Sequence, residues 1–519
     1  MTLPLIYYTV IHLKPIQVFC QLYNRIRTPR LQAAECHIDN STAKCSKTIV
    51  KQDCYNGGRF TFLNITDAFH GWNISGHGPL WAYNLNYMDW LEQENISQEE
   101  CIEWIDRFID DLPANHVGLD PYPVALRIIN WVKFFSKNPE CQSKQRNDST
   151  YAQTQLLERK LEYHLLGNHL LEDSYALTIA SIYFSDERMF RKASKLLLAQ
   201  LNEQILPDGM HYEQSPMYHC IMLDRLLDCI NFSVNNILFE GQETFNDAIK
   251  KKASQMLGHL ASITYSDGAI PLLNDSANDI APTANELYDY AKRLNVEWST
   301  VRLSTCGYRK LGDGHMEAVI DIGNIAASYQ PGHSHADTFS YELRIDSQPI
   351  IVDTGISTYN KNDRRQYERS TAAHNTVTVG GMDSSQVWGG FRMGRRARVT
   401  IVSDESNDVV ARHDGFGRMA IHERHFSCKD NAFCVEDKII GSDTEAVSYL
   451  HFCPGLKAEI ISEKEGIVSI GNVRIKASHC HRMALKTDCA AKEYNRLNPC
   501  DVLEMHFVGK LEYSVSPGK

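Results

Sequence analysis

The spacing of apolar positions along the chain changes near residue 300. Before that point apolar residues recur every three or four positions, as at Ile102, Ile105 and Ile109, and this spacing predicts amphipathic helices. The same pattern predicts helices over residues 101–112, 122–135, 154–166, 191–206, 221–234 and 286–294. The first part of the chain is therefore expected to be helical.

After residue 300 apolar and polar residues alternate, which predicts β-strands separated by Gly, Asp and Asn turns. The predicted strands lie within residues 316–323, 339–345, 349–355, 375–381, 398–404, 409–415, 467–477 and 503–515. A helical half followed by an all-β half predicts an α+β multidomain protein, with domains at 1–300 and 301–519. No low-complexity linker separates the halves, so we expect a packed interface and a ligand cleft there.

Composition and charge exclude several classes of protein. At 519 residues the chain is too long to fold around a single hydrophobic core, so more than one domain is expected. Its net charge of −11 gives no indication of a nucleic-acid partner. The sequence contains no run of 18 apolar residues, so it predicts no membrane-spanning helix. The apolar N-terminus lacks an early Lys or Arg and a cleavage site, so the sequence predicts a cytoplasmic protein or one whose export signal is missing. The fifteen cysteines form no CxxC pair and are expected to be buried thiols.

Two polar stretches interrupt the helical half. In residues 163–177, Asn168 lies in an otherwise apolar stripe beside Gly167, and glycine costs about 1 kcal/mol inside a helix, which predicts a break or a close approach. A helix cap explains Asn168 equally well. In residues 206–223 a turn at Asp208 precedes His211 and Tyr218, and a plain helix start explains that stretch more simply than a site.

The β half contains a possible metal set. His333 and His335 are two residues apart at a predicted strand entrance, where residues i and i+2 face the same side. Together with Asp353 and His374 they supply imidazole and carboxylate groups that can bind zinc with an open position. Each histidine taken alone is more often structural.

Residues 359–398 are locally basic. The segment has eight Lys and Arg against three Asp and Glu, or +5, within a chain of −11. A solvated face explains this charge, and arginines interleaved with aromatic residues also suit carboxylate or sulfate recognition. The basic residues are Lys361, Arg364, Arg365, Arg369, Arg392, Arg395, Arg396 and Arg398.

Several motifs together resemble the heparinase II/III-like polysaccharide lyases. They run in family order from about residue 60 to 430 and include YHLLGNHLLED, PDGMHYEQSPMYH, IPLLNDS, GHSHADTFSYEL, PIIVDTGISTY and RSTAAHNTVTVGG. The resemblance implies an incomplete (α/α) toroid followed by an antiparallel β-sandwich. It also implies β-elimination of a glycosaminoglycan (heparan sulfate or heparosan, hyaluronan, chondroitin), with an alginate-type polyuronate as the alternative substrate.

The resemblance also implies roles for residues. Asn168 and His169 would bind the uronate carboxylate, Tyr218 would transfer the proton, and His333 would act as a second base. A tyrosine base needs help, since its ordinary pKa is about 10, and nearby cations are expected to lower it. The expected substrate contacts are Arg127, Asn130, Trp131, His211, Tyr359, Arg364, Arg365 and Arg369.

The resemblance further implies one structural zinc-like ion on His335, Asp353 and His374, and no organic cofactor. Members of the family are commonly exported, and the sequence leaves the oligomeric state open. Two other functions were weighed. A glycoside hydrolase on this fold would need two acidic residues across the cleft, for which Glu213 and Asp275 are the candidates. A non-catalytic carbohydrate-binding protein would be indicated by loss of Asn168 or Tyr218, and both are present.

Overall fold

The structure is a computed structural model that describes residues 3–27 and 29–518. Within these residues helices precede residue 294, apart from one short helix, and strands of the larger sheets follow residue 307. The α-helices, α1 to α12 in chain order, are Leu3–Val10, Pro15–Ile26, Pro79–Tyr87, Gln98–Asp111, Pro121–Lys137, Lys144–Arg159, Gly167–Tyr183, Glu187–Gln204, Pro216–Asn235, Gln242–Ile263, Ala284–Arg293 and Asp363–Glu368.

The strands are short at the start of the chain and long at its end. Strands β1 to β21 are Tyr55–Asn56, Arg59–Phe62, Ile65–Ala68, Tyr308–Gly312, Met316–Asp321, Tyr341–Ile345, Gln348–Ile351, Val377–Val379, Val387–Trp388, Arg392–Met393, Val399–Glu405, Asp408–His413, Ile421–Lys429, Ala432–Ile440, Ala446–His451, Ala458–Ser462, Ile467–Ile470, Val473–Ser478, Arg482–Glu493, Arg496–Phe507 and Lys510–Pro517.

The later strands form stacked antiparallel sheets. An eight-stranded sheet has the order β11-β12-β13-β14-β21-β18-β17-β16, and two four-stranded sheets have the orders β19-β20-β15-β8 and β4-β5-β6-β7. These sheets make up the sandwich part (residues 308–517), and helices α3 to α11 make up the helical part (residues 79–293). The predicted fold class, a helical toroid followed by an antiparallel sandwich, is confirmed.

The sequence did not predict the small sheet β1-β2-β3 at residues 55–68. Its strands have only two to four residues, which is too short for an alternating pattern to stand out from the surrounding segments. Phe60 and Phe62 of this sheet are buried in the core of the helical part.

Two small apolar clusters join the helical part to the sandwich part. The first packs Met210 and Ile263 against Tyr308 and Val319. The second packs Met217 of α9 and Ala277 against Ile356 and Tyr494. The parts therefore meet in a packed interface, as the missing linker predicted.

A break between α6 and α7 orients the start of α7. The helix predicted over residues 154–166 ends at Arg159, and α7 begins at Gly167. Gly167 has φ of +62°, and a Cβ added there would lie 2.4 Å from Glu213 Oε1. The sequence-based expectation of a break or a close approach at this glycine is therefore confirmed on both counts.

The described residues give two further observations on composition. None of the helices that the structure describes is both long and apolar enough to cross a membrane. All fifteen cysteines are described and are free thiols, and eight of them, including Cys220 and Cys229, are buried.

Candidate active site

Three polar rings meet where the helical part contacts the sandwich part. Tyr218 lies in the first turn of α9, where its backbone N–H donates to the cap residue Ser215. The rings of Tyr218 and His333 are 3.9 Å apart between centroids. The Tyr359 hydroxyl lies 3.4 Å from both the Tyr218 hydroxyl and His333 Nδ1. The two tyrosines are partly exposed, so the rings can be reached from outside.

Glu213 anchors Asn168 next to these rings. The backbone N–H of Asn168 donates to Glu213 Oε1 at 2.8 Å, and its side-chain amide donates to Oε2 at 3.0 Å. A carboxylate is favourable at a helix start, because the first N–H groups have no partner within the helix. The Asn168 amide also lies 3.4 Å from His333 Nε2, so Glu213 fixes this amide against the imidazole.

Asp275 holds His333 from the other side. Its Oδ2 accepts from His333 Nδ1 at 2.9 Å and from Arg365 Nη2 at 2.7 Å, and its Oδ1 accepts from His335 Nε2 at 2.8 Å. Burial opposes ionisation, but the Arg365 guanidinium outweighs it and holds the pKa of Asp275 well below its usual value. The ionised carboxylate accepts a hydrogen bond from the Nδ1–H group, which directs the lone pair of His333 Nε2 towards the Asn168 amide.

His169 provides a second imidazole beside Asn168. Its Nδ1 lies 3.0 Å from Glu162 Oε2, and its ring lies 4.7 Å from that of Tyr122. Burial opposes its protonation, but the Glu162 carboxylate outweighs this and raises the pKa of His169 above its usual value. His169 is therefore suited to binding an anion.

The pKa of Tyr218 is raised, whereas the sequence predicted that it would be lowered. Burial raises the pKa of Tyr218 above its usual value, and the nearby Asp275 and Glu213 carboxylates add to that increase. Nearby cations were expected to lower it, but the Arg365 charge is already paired with Asp275. In the free protein the phenol is therefore a proton donor at neutral pH.

The structure does not bring four of the predicted substrate contacts to the site surface. Arg127 donates to the carbonyls of Asn86 and Gly118 inside the helical part. The His211 side chain is bonded to Gln204, and burial lowers the pKa of His211 to about 4. These interior residues, each no more than 1% exposed, are Arg127, Asn130, Trp131 and His211.

The three arginines predicted to contact the substrate are hydrogen-bonded to protein groups around the site instead. Arg365 is fully buried on Asp275, and Arg369 donates to the Ser334 carbonyl at 2.8 Å. Arg364 is partly exposed, but its guanidinium donates to Glu368 at 2.8 Å. Of the predicted substrate contacts, Tyr359 is the one that reaches the ring cluster, since the charges of these arginines are used in holding the surrounding loops.

A cavity of about 290 Å³ adjoins the ring cluster. Helices α1 and α2 line one wall, and Trp388, Phe391, Arg392 and Arg396 line another. Phe391 also packs against Tyr359, with 5.2 Å between ring centroids. The basic segment therefore does present arginines to a cavity, but they are Arg392 and Arg396.

The predicted metal residues lie directly beneath His333. The unbonded ring nitrogens, Nδ1 of His335 and Nε2 of His374, are buried without hydrogen-bond partners, and the two rings are 5.2 Å apart. Asp353 Oδ2 lies 2.7 Å from His374 Nδ1, the nitrogen opposite the unpartnered one. The predicted set of His335, Asp353 and His374 does not bring one ligand atom of each residue within 4.8 Å of the other two, because Asp353 is bonded to His374 Nδ1. The two unpartnered imidazole nitrogens are the part of the set that suits a zinc-like ion, and Asp353 orients His374 in the way carboxylates orient metal-bound histidines.

The loop geometry around these histidines differs from the prediction. His333 and His335 were expected at a strand entrance, facing one side, but they lie in an irregular segment before β6. Each of them instead donates a hydrogen bond to one oxygen of Asp275, His333 to Oδ2 and His335 to Oδ1. The reason for which these two histidines were grouped in the sequence is therefore not borne out by the backbone, and their roles stay predictions.

The two acidic residues that a glycoside hydrolase would need, Glu213 and Asp275, both lie beside His333 and do not face each other across a cleft. Glu213 and Asp275 lie on opposite sides of His333, at 3.4 Å from Nε2 and 2.9 Å from Nδ1. Both carboxylates are buried and hydrogen-bonded. Hydrolysis needs two carboxyl groups that face a sugar across the cleft, and these two face an imidazole.

Sequence reasoning named Glu213 and Asp275 only as that acidic pair. Their partners lie 45 and 58 residues away along the chain, so no local spacing links them. The signal was present in the IPLLNDS motif, where Asp275 follows an apolar run. An acidic residue in such a run is expected to be buried and to need a charged partner.

Comparison with known proteins relates both parts of the chain to one family. Residues 131–295 match the family model described as "Heparinase II/III N-terminus", and residues 296–514 match "Heparinase II/III-like, C-terminal". A heparin-sulfate lyase of Bacteroides thetaiotaomicron is 20% identical over 354 residues, which are 59% of this chain and 49% of that protein. The chain spans about half the length of the curated relatives it matches.

Solved structures agree with the fold. A crystal structure of heparinase III has a TM-score of 0.71 and 16% identity, over 86% of this chain and 80% of that one. A mutant of the heparan sulfate lyase HepC from Pedobacter heparinus has a TM-score of 0.63 and 16% identity, over 97% of this chain and 88% of that one. At such identities the likeness supports the architecture.

Proposed function

The chain belongs to the heparinase II/III-like family, and from that premise we propose that it is a polysaccharide lyase that cleaves a uronic-acid-containing glycosaminoglycan by β-elimination. The observation that carries this proposal is the close approach of the Tyr218 and His333 rings, whose centroids are 3.9 Å apart. A proton donor and a proton acceptor stand side by side there, next to the Asn168 amide. β-Elimination needs those two groups and a group that neutralises the uronate carboxylate.

The proposed carboxylate site is the start of α7. The Asn168 amide and the His169 imidazole, whose pKa is raised beside Glu162, would bind the uronate carboxylate. Negative charge builds on that group when the C5 proton leaves, so these contacts strengthen in the transition state. Stabilisation of developing charge by fixed donors is commonly the largest contribution to catalysis.

The proposed proton transfers use both rings. Tyr218, protonated in the free protein, gives its proton to the departing O4. His333 Nε2, which faces the Asn168 amide at 3.4 Å, would take the C5 proton where that proton and O4 lie on opposite faces of the sugar, as in iduronate. Where they share a face, as in glucuronate, Tyr218 would first release its proton to solvent, and the Tyr359 hydroxyl at 3.4 Å is placed to stabilise the phenolate. The phenolate would then take the C5 proton and pass it to the departing O4.

We propose Arg392 and Arg396 as contacts for the anionic polymer, in place of the buried arginines. They line the adjoining cavity with two aromatic residues, a combination that suits sulfate or carboxylate groups and sugar rings. Changing both arginines to alanine should raise KM and leave kcat close to normal, as expected for uniform binding. Arg474→Ala, at an exposed position on β18, is the matched control, and an unchanged KM in the double variant would contradict the assignment.

We propose a heparan-type chain as the first substrate to test, because the curated relatives are named heparin-sulfate lyases. The assay is the ultraviolet absorbance of the unsaturated uronate, measured on heparan sulfate, heparosan, hyaluronan, chondroitin sulfate and alginate. Turnover on heparan-type chains supports the proposal, and turnover restricted to another polymer would redirect it. Polymer binding with no absorbance on any substrate would favour the non-catalytic carbohydrate-binding alternative.

We also retain one divalent ion, zinc-like, on His335, Asp353 and His374 as a proposal. The two unpartnered ring nitrogens support it. When bound, the ion would supply rigidity and charge beneath the Asp275–His333 pair, and the residues above would do the chemistry. Metal analysis of the protein and of His335→Ala tests it, and equal metal content in both would contradict it.

We keep the division of the chain into domains 1–300 and 301–519 as a proposal as well. The last helix of the helical part ends at Arg293 and the sandwich part begins at Tyr308, which supports a boundary in the segment between them.

A further inference from the structure

A second group of potential metal ligands lies away from the candidate active site. Asp208 starts the turn that leads to α9, His259 lies on α10, and Cys306 precedes β4. One ligand atom of each lies within 4.8 Å of those of the other two. Among residues 3–27 and 29–518 no other three His, Cys, Asp or Glu side chains meet that distance.

Two of the three side chains have a buried polar atom with no partner. His259 donates from Nδ1 to the Asp208 carbonyl at 3.1 Å, and its Nε2 is unpartnered. Asp208 Oδ2 accepts the backbone N–H groups of Ser304 and Cys306, each at 2.9 Å, while Oδ1 is unpartnered. Such an atom costs about 1–3 kcal/mol when it stays unpaired, and two of them within one cluster of ligand-type side chains point to a group that binds between them.

We propose that Asp208, His259 and Cys306 form a structural site for a zinc-like divalent ion. Carboxylate, imidazole and thiolate are the groups that bind zinc in proteins. Metal-bound histidines usually donate their second ring N–H to a carbonyl or carboxylate, which is the bond that His259 makes to Asp208. The Tyr308 N–H points to Cys306 Sγ at 3.3 Å, where it would stabilise the thiolate.

Binding requires a small contraction and one proton release. Ligand atoms around a tetrahedral zinc lie about 3.3–3.8 Å apart, given bond lengths of about 2.0–2.3 Å, so side chains within 4.8 Å must move inwards by up to about 1 Å. Burial lowers the pKa of His259 to about 4, which keeps its ring neutral. Burial raises the pKa of the Cys306 thiol, so the ion displaces the thiol proton to solvent. A water molecule would take the fourth position.

The position of this site gives it a mechanical role. It would tie together the turn at Asp208, helix α10 and the segment that enters the sandwich part. The turn packs closely against the backbone of α10, since a Cβ at Gly209 would lie 2.0 Å from the Gln255 carbonyl oxygen. The same turn precedes Glu213 and Tyr218, so the ion would fix the segment that carries them. The inference is independent of the proposed lyase activity.

A metal-free explanation makes a different prediction. The Cys306 thiol could donate to the Asp208 carboxylate, which would satisfy the carboxylate and leave His259 Nε2 unpartnered. In that case the protein has no ion bound to sulfur.

The first experiment needs no substitution. The protein is incubated with zinc, the excess is removed, and the zinc content and the zinc-edge X-ray absorption are measured. We expect a sulfur neighbour at about 2.3 Å. The set of His335, Asp353 and His374 contains no sulfur, so that signal is specific to Cys306. Zinc bound only through nitrogen and oxygen, or no retained zinc, would overturn the proposal whatever the lyase assay shows.

The second experiment uses cobalt(II) and matched variants. Cobalt bound to a thiolate gives a strong near-ultraviolet charge-transfer band. This band should be lost in Cys306→Ala and kept in Cys220→Ala, which removes another buried thiol, and in His335→Ala. In the His335→Ala background, which lacks the other proposed ion, a chelator should lower Tm, and it should have no effect once His259→Gln is added. A band that persists in Cys306→Ala, or a Tm of His335→Ala that the chelator leaves unchanged, would contradict the site.

Discussion

Two carboxylates in this protein bind the same kinds of partner in very different surroundings. At the junction, Asp275 accepts from His333, His335 and Arg365. Inside the sandwich, Asp437 accepts from His422 at 2.6 Å and from Arg424 at 2.6 and 2.9 Å. Both carboxylates are fully buried, and each has its pKa held below the usual range despite burial.

The two groups differ in what the histidine bonded to each carboxylate contacts on its other side. Beside Asp437, His422 contacts His413, and both imidazoles are buried on neighbouring strands of the eight-stranded sheet. Behind Asp275, His333 contacts two partly exposed tyrosines and the Asn168 amide. An Asp–His–Arg group is therefore no evidence of catalysis by itself. It becomes a candidate catalytic group where its imidazole reaches a surface with a proton donor beside it.

The largest expected contrast comes from removing one hydroxyl in each region. Tyr218→Phe should lower turnover by about 10²–10⁴-fold, the range for one acid–base group, with Tm and polymer binding kept. Tyr513→Phe removes a buried hydroxyl that bonds Tyr341 near Asp437, and it should lower Tm with normal turnover per folded molecule. Turnover and Tm are measured on the same samples. A well-folded Tyr218→Phe protein with normal turnover would remove Tyr218 from the mechanism.

The second contrast neutralises each carboxylate. Asp275→Asn and Asp437→Asn both leave a buried arginine without its counterion, which costs about 3–5 kcal/mol in unfolding free energy. Only Asp275→Asn should also lower turnover per folded molecule, by about 10²-fold, because the Nδ1 proton of His333 loses its acceptor. Denaturant unfolding and the ultraviolet assay separate these effects. Equal turnover losses in both variants would mean that the two groups are alike after all.

The third contrast is acid stability. Burial opposes ionisation of Asp437, but Arg424 outweighs it and sets the pKa at about 2, against about 3.9 in the unfolded chain. A lowered pKa gives stability that is fully present above the unfolded value and is lost as pH falls towards the folded one. The amount is about 2–3 kcal/mol. The stability difference between wild type and Asp437→Asn should shrink by that amount between about pH 5 and about pH 1.

The exposed substitution Asp443→Asn is the control for that acid titration. Its stability should follow that of the wild type at every pH. A difference between wild type and Asp437→Asn that stays constant down to the lowest pH would show that the Asp437 carboxylate is not held ionised.

The smallest contrast uses two glycines with positive φ. Gly167 has φ of +62° and Gly441, in the turn after β14, has φ of +85°. Alanine at either should cost about 1–2 kcal/mol of stability. Only Gly167→Ala should also lower kcat, since its Cβ would push Glu213 away from Asn168, whereas nothing lies within 4 Å of a Cβ at Gly441. Unchanged kcat in Gly167→Ala would mean that the Asn168–Glu213 contact is not needed for turnover.

The sequence predicted the architecture because periodicity is a local property. The change of period near residue 300 and the break at Gly167 each follow from a few neighbouring residues, and the structure bears out both. The short strands between residues 55 and 68 were missed because two to four residues carry too little pattern.

The site was only partly predictable because its contacts are distant in sequence. Arg365 was grouped by charge with Arg392, yet the first is buried on a carboxylate 90 residues away and the second lines a cavity. Local composition reports how many charges a segment has and not which of them are already paired. The raised pKa of Tyr218 was missed for the same reason, since it depends on burial at the junction.

The bonds at Asp275 also set an order of events during synthesis. Its partners follow it in the chain by 58, 60 and 90 residues. Domains tend to fold as units, the N-terminal one first as the chain leaves the ribosome. The helical part thus emerges with Asp275 still hydrated and unpaired, and Tyr218 meets His333 only after the sandwich part has docked. A nascent chain would carry a formed helical part without the ring cluster, so the proposed activity would require a complete and docked sandwich part.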